Sequence, residues 1–213
     1  MMLPIAQSEI DEYTSHPGNI PNFHNFKTPQ LEPGDSGIFS LEIQNRYVSS
    51  ITNVTIVAEI YQRADIDDSE TIDNINSGKR PLITEKCWKY KNDEDNCSDT
   101  SDNKEAVFII NEITKNQSIQ LEFNIDTNSD TVEGTYFIRF SMNFDYNQTE
   151  RVMQSRGFWN MEQWTAATTN LTEDYPGNIN LDALNVDGII PDSSFGVKKP
   201  IPKWPLYILI SLT

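Results

Sequence analysis

Residues 134–146 read Gly-Thr-Tyr-Phe-Ile-Arg-Phe-Ser-Met-Asn-Phe-Asp-Tyr. Tyr136, Ile138, Phe140, Met142, Phe144 and Tyr146 alternate there with Phe137, Arg139, Ser141, Asn143 and Asp145. Successive side chains of an extended chain point to opposite faces, so this stretch predicts one long strand with an apolar side and a mostly polar side. Its length marks it as the central strand of a sheet.

The same period recurs on both sides of it. Ile119, Leu121, Phe123 and Ile125 alternate with Ser118, Gln120, Glu122 and Asn124, and Thr127 to Gly134 supplies the turn between these two strands. After the central strand, a turn at Asn147 to Glu150 leads into a paired strand at Arg151 to Phe158. Upstream, the turn residues Pro33 to Gly37 precede a strand on Phe39, Leu41 and Ile43, and Val54, Ile56, Ala58 and Ile60 give the next. The run Ala106 to Ile110 is apolar enough for burial on both faces. Trp159 to Ala167 offers a short helix with Met161 and Trp164 on one face. Period-two strands between turn signals, with almost no helix, predict an all-β fold, an antiparallel Ig-like β-sandwich.

The order of these signals resembles a known group. Leu31-x-Pro33-Gly34 opens a strand with Asn45 near its end, a strand follows at Asn53 to Gln62, Ile113 to Ser118 leads into another, and Gly134-Thr135-Tyr136 opens the next. Together they resemble the Ig-like domains of archaeal and bacterial surface proteins of the CARDB/NEW3 and S-layer-associated kind. The resemblance covers residues 31–146 and implies a β-sandwich at the cell surface. Residues 63–105 depart from it, being much longer than the usual connection.

Four segments are expected. Residues 1–30, rich in Pro, Asn and His, read as an extended arm; residues 31–167 form the sandwich, with a long acidic insertion at 63–105; residues 168–199 read as a polar tether; residues 200–213 open a membrane anchor. In that last segment Lys203, Trp204 and Tyr207 precede Ile208, Leu209, Ile210 and Leu212. Interfacial aromatics and lysines before an apolar run are how a chain enters a bilayer, and the run is cut short of the roughly 20 residues that a span needs.

The charge excludes one class of partner. With 32 acidic against 16 basic residues the formal net charge is −16, a field that repels phosphate backbones, so nucleic acid is not expected. Cys87 and Cys97 lie far in sequence from His16 and His24, too few soft ligands for a zinc site. In an exported chain they are expected to form a disulfide that pins the insertion.

Candidate sites follow from residue type. Five Asn-x-Ser/Thr sequons occur, at Asn53, Asn96, Asn116, Asn147 and Asn170, and are candidate glycan acceptors. Asp65, Asp67, Asp68, Asp93 and Asp95 in the insertion are the candidate metal ligands; calcium is the one cofactor they would suit, since it takes six to eight oxygens. Asn185, Asp187, Gly188 and Asp192 partly match a calcium loop, but Ala183 stands where its first ligand would be, and an Asp-Gly turn is the simpler reading. Phe158, Trp159 and Trp164 are the candidate aromatic platform for sugar or protein, against the plainer reading of a plug in the core. His16 and His24 have no nucleophile motif beside them, and no catalytic residue stands out.

The expected function is therefore a non-enzymatic ectodomain on the extracellular face of the cell membrane, held by its C-terminal segment and binding a cell-envelope protein or glycan. A secreted carbohydrate-acting domain with an aromatic cleft and paired carboxylates is the alternative, and a calcium-dependent adhesin a further one.

Overall fold

The computed structural model describes residues 20–61, 79–83, 105–168 and 179–198. In chain order the strands are β1 (Asn22–Lys27), β2 (Gln30–Leu31), β3 (Ser36–Gln44), β4 (Ile51–Tyr61), β5 (Leu82–Ile83), β6 (Glu105–Ile113), β7 (Ser118–Asp126), β8 (Gly134–Tyr146) and β9 (Thr149–Ser155). A 3-10 turn at Arg156–Phe158, helices α1 (Met161–Thr168) and α2 (Leu181–Leu184), and strands β10 (Gly188–Ile190) and β11 (Ser193–Val197) complete the fold. One sheet has the order β1-β3-β7-β5, and the other is built on β8.

The alternation read from the sequence sets the inner faces. Phe39, Leu41 and Ile43 of β3 and Ile119, Leu121, Phe123 and Ile125 of β7 are buried against Val54, Ile56, Ala58 and Ile60 of β4 and Tyr136, Ile138, Phe140, Met142 and Phe144 of β8. The rings of Phe39 and Phe140 meet across the layers with centroids 6.1 Å apart, and Phe39 stacks on Phe123 at 4.8 Å. This is the expected all-β sandwich, with two parallel pairings added, β10 on β9 and β11 on β2.

β8 is paired along both edges. On one edge β4 pairs with it from Phe137 to Asp145. On the other, β11 takes Gly134 to Ile138 and β9 takes Ser141 to Tyr146. Between those two partners the buried N–H of Phe140 donates to Ser155 Oγ at 2.8 Å. A serine hydroxyl thus fills the one place where the ladder changes hands, which a buried amide requires.

Three further polar groups fix the corners. Glu32-Pro33-Gly34-Asp35 is a tight turn with Gly34 at φ 96 and Asp35 N–H on Glu32 O at 2.9 Å, and Thr127 Oγ1 accepts from Gly34 N–H at 3.0 Å. Asn45, fully buried, donates to Ile113 O and Ser49 O and accepts from Tyr47 N–H, joining the β3–β4 loop to the β6–β7 turn. Tyr136, two residues into β8, reaches back with its hydroxyl to Val132 O at 2.8 Å. That is the tyrosine corner of Greek-key sandwiches, and it explains why Gly-x-Tyr opens this strand.

Two expectations are corrected. Residues 1–30 are not an arm throughout, because β1 pairs antiparallel with β3. Its Phe23 and Phe26 are three apart, outside a period of two; Asn25 at φ 55 and the shifted register between His24 and Lys27 let both rings lie against Phe140, at 6.0 and 5.9 Å. Nor are residues 168–199 simply a tether, since β10 and β11 are strands of the larger sheet with Ile190, Phe195 and Val197 buried. Cys87, Cys97 and the N-terminal residues before 20 lie outside the described residues, as do residues 200–213. No helix among the described residues is long and apolar enough to cross a membrane.

Two outcomes are expected. Asn147 and Gln148 form the β8–β9 turn with φ 50 and 62, as a type I′ turn demands, and glutamine is strained there. Gln148→Gly should stabilise by about 1 kcal/mol, read as a rise in the urea midpoint. Burial holds the Tyr136 phenol above its ordinary value of 10.0. Its contribution is therefore complete below that value and lost as pH rises through the raised one. Tyr136→Phe should cost about 1–2 kcal/mol at neutral pH, and the gap to the wild type should narrow in unfolding measured at increasingly alkaline pH.

Candidate binding face

The two sheets present very different outer surfaces. On the smaller one, outward positions of β1, β3 and β7 include His24, Lys27, Glu42, Glu122 and Asp126, with His24 Nε2 3.4 Å from Glu42. On the larger one, registers place Ile109, Thr55, Asn143 and Val152 in one cross-strand row and Val107, Val57, Ser141 and Gln154 in the next. All eight positions are uncharged, and three of the four strands offer a β-branched aliphatic.

Ile109 is 37% exposed although it sits in the run expected to be buried on both faces. The reason is that β6 packs its other side, Ala106, Phe108 and Ile110, into the core, and leaves Ile109 on the open face. Val107 is shielded to 8%. Charges begin in the rows on either side. Glu59 and Arg139 pair at 2.8 Å beside Glu105, and Asp145 stands opposite Glu150 on the other side.

The expected aromatic platform lies along the margin of this face, and its three rings do not form one flat surface. Arg139 lies over the Phe158 ring at 4.4 Å and donates to Gly157 O at 3.0 Å, so the 3-10 turn folds over the charged row. Gly157 is required there, because a Cβ would fall 2.6 Å from the Tyr61 ring. Trp159 is buried in a second small core with Ala167, Ile179, Leu184 and Ile189, and stacks on the half-buried Trp164 at 5.9 Å. Arg156 in turn lies over Trp164 at 4.7 Å. Ile189 pairs with Gln154 and so points to the outer side, where α1 and α2 close over it. The tryptophans therefore wall the face on its β10 side; they plug a satellite core, not the sandwich itself.

The remaining candidates divide plainly. Asp187 is engaged internally, with Arg151 at 2.5 Å and the Val152 N–H at 2.9 Å, and Asn185 caps α2 in the left-handed conformation. Asp192 accepts from Tyr61 OH at 3.2 Å. The expected Asp-Gly turn is replaced by a chain reversal at Asn185, and Gly188 already opens β10. Asn53, Asn116 and Asn147 are exposed; Asn53 sits inside β4 at φ 50, not at its end, and donates to Asp145 at 2.6 Å. Asn96, Asn170, Asp65, Asp67, Asp68, Asp93 and Asp95 lie outside the described residues. Among the described residues no three His, Cys, Asp or Glu come together as a metal site.

No family model matches the chain. No curated protein gives a significant match. Among solved structures it is similar to PapD-like domain 7 of human CEP192 at 9% identity, covering 94% of this chain and 95% of that one, with a TM-score of 0.33. It is also similar to the seventh ScaB type I cohesin of Pseudobacteroides cellulosolvens, at 11% identity over 86% of this chain and 95% of that one, TM-score 0.38. AvmM, which catalyses macrocyclization in alchivemycin A biosynthesis, is similar at 8% identity over 87% and 92%, TM-score 0.38. Likeness at this level carries nothing about activity.

The Glu59–Arg139 pair is the structural hinge of the margin, with side chains only 17% and 15% exposed. Arg139→Ala should cost about 2–3 kcal/mol in chemical unfolding, because Glu59 is left poorly solvated and without its partner. Replacing both, Glu59→Leu with Arg139→Met, should recover most of that loss.

Proposed function

We propose that the chain is a non-enzymatic module displayed outside the cell, which binds a protein partner through the open face of its larger sheet. One observation carries the proposal. A chain of net charge −16 keeps two adjoining rows across β6, β4, β8 and β9 free of charge, and sets acids in the rows that flank them on either side. Interfaces have that composition, a centre poor in charge within a polar rim. Glu105, Asp145 and Glu150 favour a partner with basic residues around a small apolar patch, and such complementarity speeds encounter more than it adds affinity.

Display outside the cell is supported by the sequence: the resemblance of residues 31–146 to CARDB/NEW3 domains, and the Trp204, Tyr207 and Ile208 to Leu212 pattern of an entering membrane anchor. Val197 pairs with Gly134, at the opposite end of β8 from the Asn147 turn. An anchor following Lys198 would then hold the Gly134 end towards the membrane and leave the face side-on to neighbouring molecules.

Photo-crosslinking on intact cells tests the proposal. A benzophenone side chain at position 109 should give a discrete protein adduct, and one at position 120, on the outer side of β7, should not. Val57→Asp should weaken that adduct by roughly tenfold or more, as loss of a central interface residue does. No adduct at 109, or equal adducts from both positions, would overturn it.

A further inference from the structure

We propose that Asn147 is a built N-glycan acceptor, with Tyr146 as the ring on which the first sugar rests and Thr149 as the sequon hydroxyl. The proposal rests on export of the chain. Five sequons are close to the roughly three that composition alone gives, so the motif by itself decides nothing. Geometry separates the sites. At Asn53 the amide nitrogen that would carry the sugar already donates to Asp145 Oδ2 at 2.6 Å. At Asn116 the residue before the asparagine is Lys115, which offers no ring.

Asn147 shares exposure and a positive φ with both, and differs in the ring beside it. It is the first residue of a two-residue hairpin turn at φ 50, and residues 147–150 are all exposed. Tyr146 and Thr149 are the closing pair of that hairpin. Directly opposed residues of an antiparallel pair project to the same face, so ring and hydroxyl flank the amide from one side. The ring plane is fixed in advance, because Tyr146 stacks on Tyr47 with centroids 3.9 Å apart and 18° between planes. An aromatic ring immobilised next to the attachment point gives the C–H face of a sugar a surface to pack on without further loss of freedom.

The transfer balances with a lipid-linked glycan phosphate as donor. The Asn147 amide nitrogen forms a bond to the anomeric carbon, the bond from that carbon to the phosphate oxygen breaks, the lipid phosphate leaves, and the amide gives up one proton to a base of the transferase. The glycan would stand at the end of β8 opposite Gly134 and, resting on Tyr146, on the side of the sheet away from Asp145 and Glu150.

The test is glycopeptide mass spectrometry on the protein recovered from the surface of its own cells. Peptides containing Asn147 should yield sugar fragment ions, at higher occupancy than those containing Asn53, and Thr149→Ala should remove them. The glycosylated wild type should melt about 2–4 °C above Thr149→Ala, and in a Tyr146→Leu background that gap should close. An unmodified Asn147 in surface-exposed protein would overturn the site while leaving export intact. Protein found only inside the cell would overturn export itself; the same chain sent behind a signal peptide through a glycosylating secretory host then decides the site, and an unmodified Asn147 there overturns it.

Discussion

Everything in this fold hangs on β8 being paired along both edges at once. Its inner face, from Tyr136 to Phe144, is the floor of the core, and three of its five buried residues are aromatic. Its edges hold β4 on one side and, in succession, β11 and β9 on the other. A strand so placed cannot slip, since a shift of one residue would send every one of those rings to solvent. The open face is a consequence of the same constraint: the alternation that buries Phe140 and Met142 must point Ser141 and Asn143 outward.

Such an arrangement demands that the strand ends be closed by something other than apolar packing. Asn45, Thr127, Ser155 and the Tyr136 hydroxyl each take up backbone groups that turns and strand exchanges leave over. All of them are local devices at corners, and each costs desolvation that only completed hydrogen bonds offset. They divide the labour with the core, whose rings fix the distance between sheets, while these groups fix where each strand begins.

The long strands were legible because period two is written directly in residue order; β3, β4, β7 and β8 all lie where alternation put them. β1 was not, because a bulge at Asn25 breaks the period that would have announced it. β10 and β11 were hidden by brevity and by composition: Gly188-Ile189-Ile190 and Ser193 to Val197 are short segments among Asn, Asp, Pro and Gly, and what makes them strands is a partner elsewhere in the chain. The binding face was only half legible. Phe158, Trp159 and Trp164 stood out as aromatics, yet Val57, Val107, Ile109 and Ser141 carry no signal of their own, being ordinary strand residues until register sets them side by side.

The sequence by itself determined the class of fold, the central strand and the acidic character that any partner must meet, because side-chain alternation and charge are properties of residue order. Only the tertiary structure decided which uncharged residues adjoin, which tryptophan is buried and which sequon stands beside a fixed ring. Those are matters of pairing between distant strands, and pairing is settled by packing the whole core at once, not by any one segment.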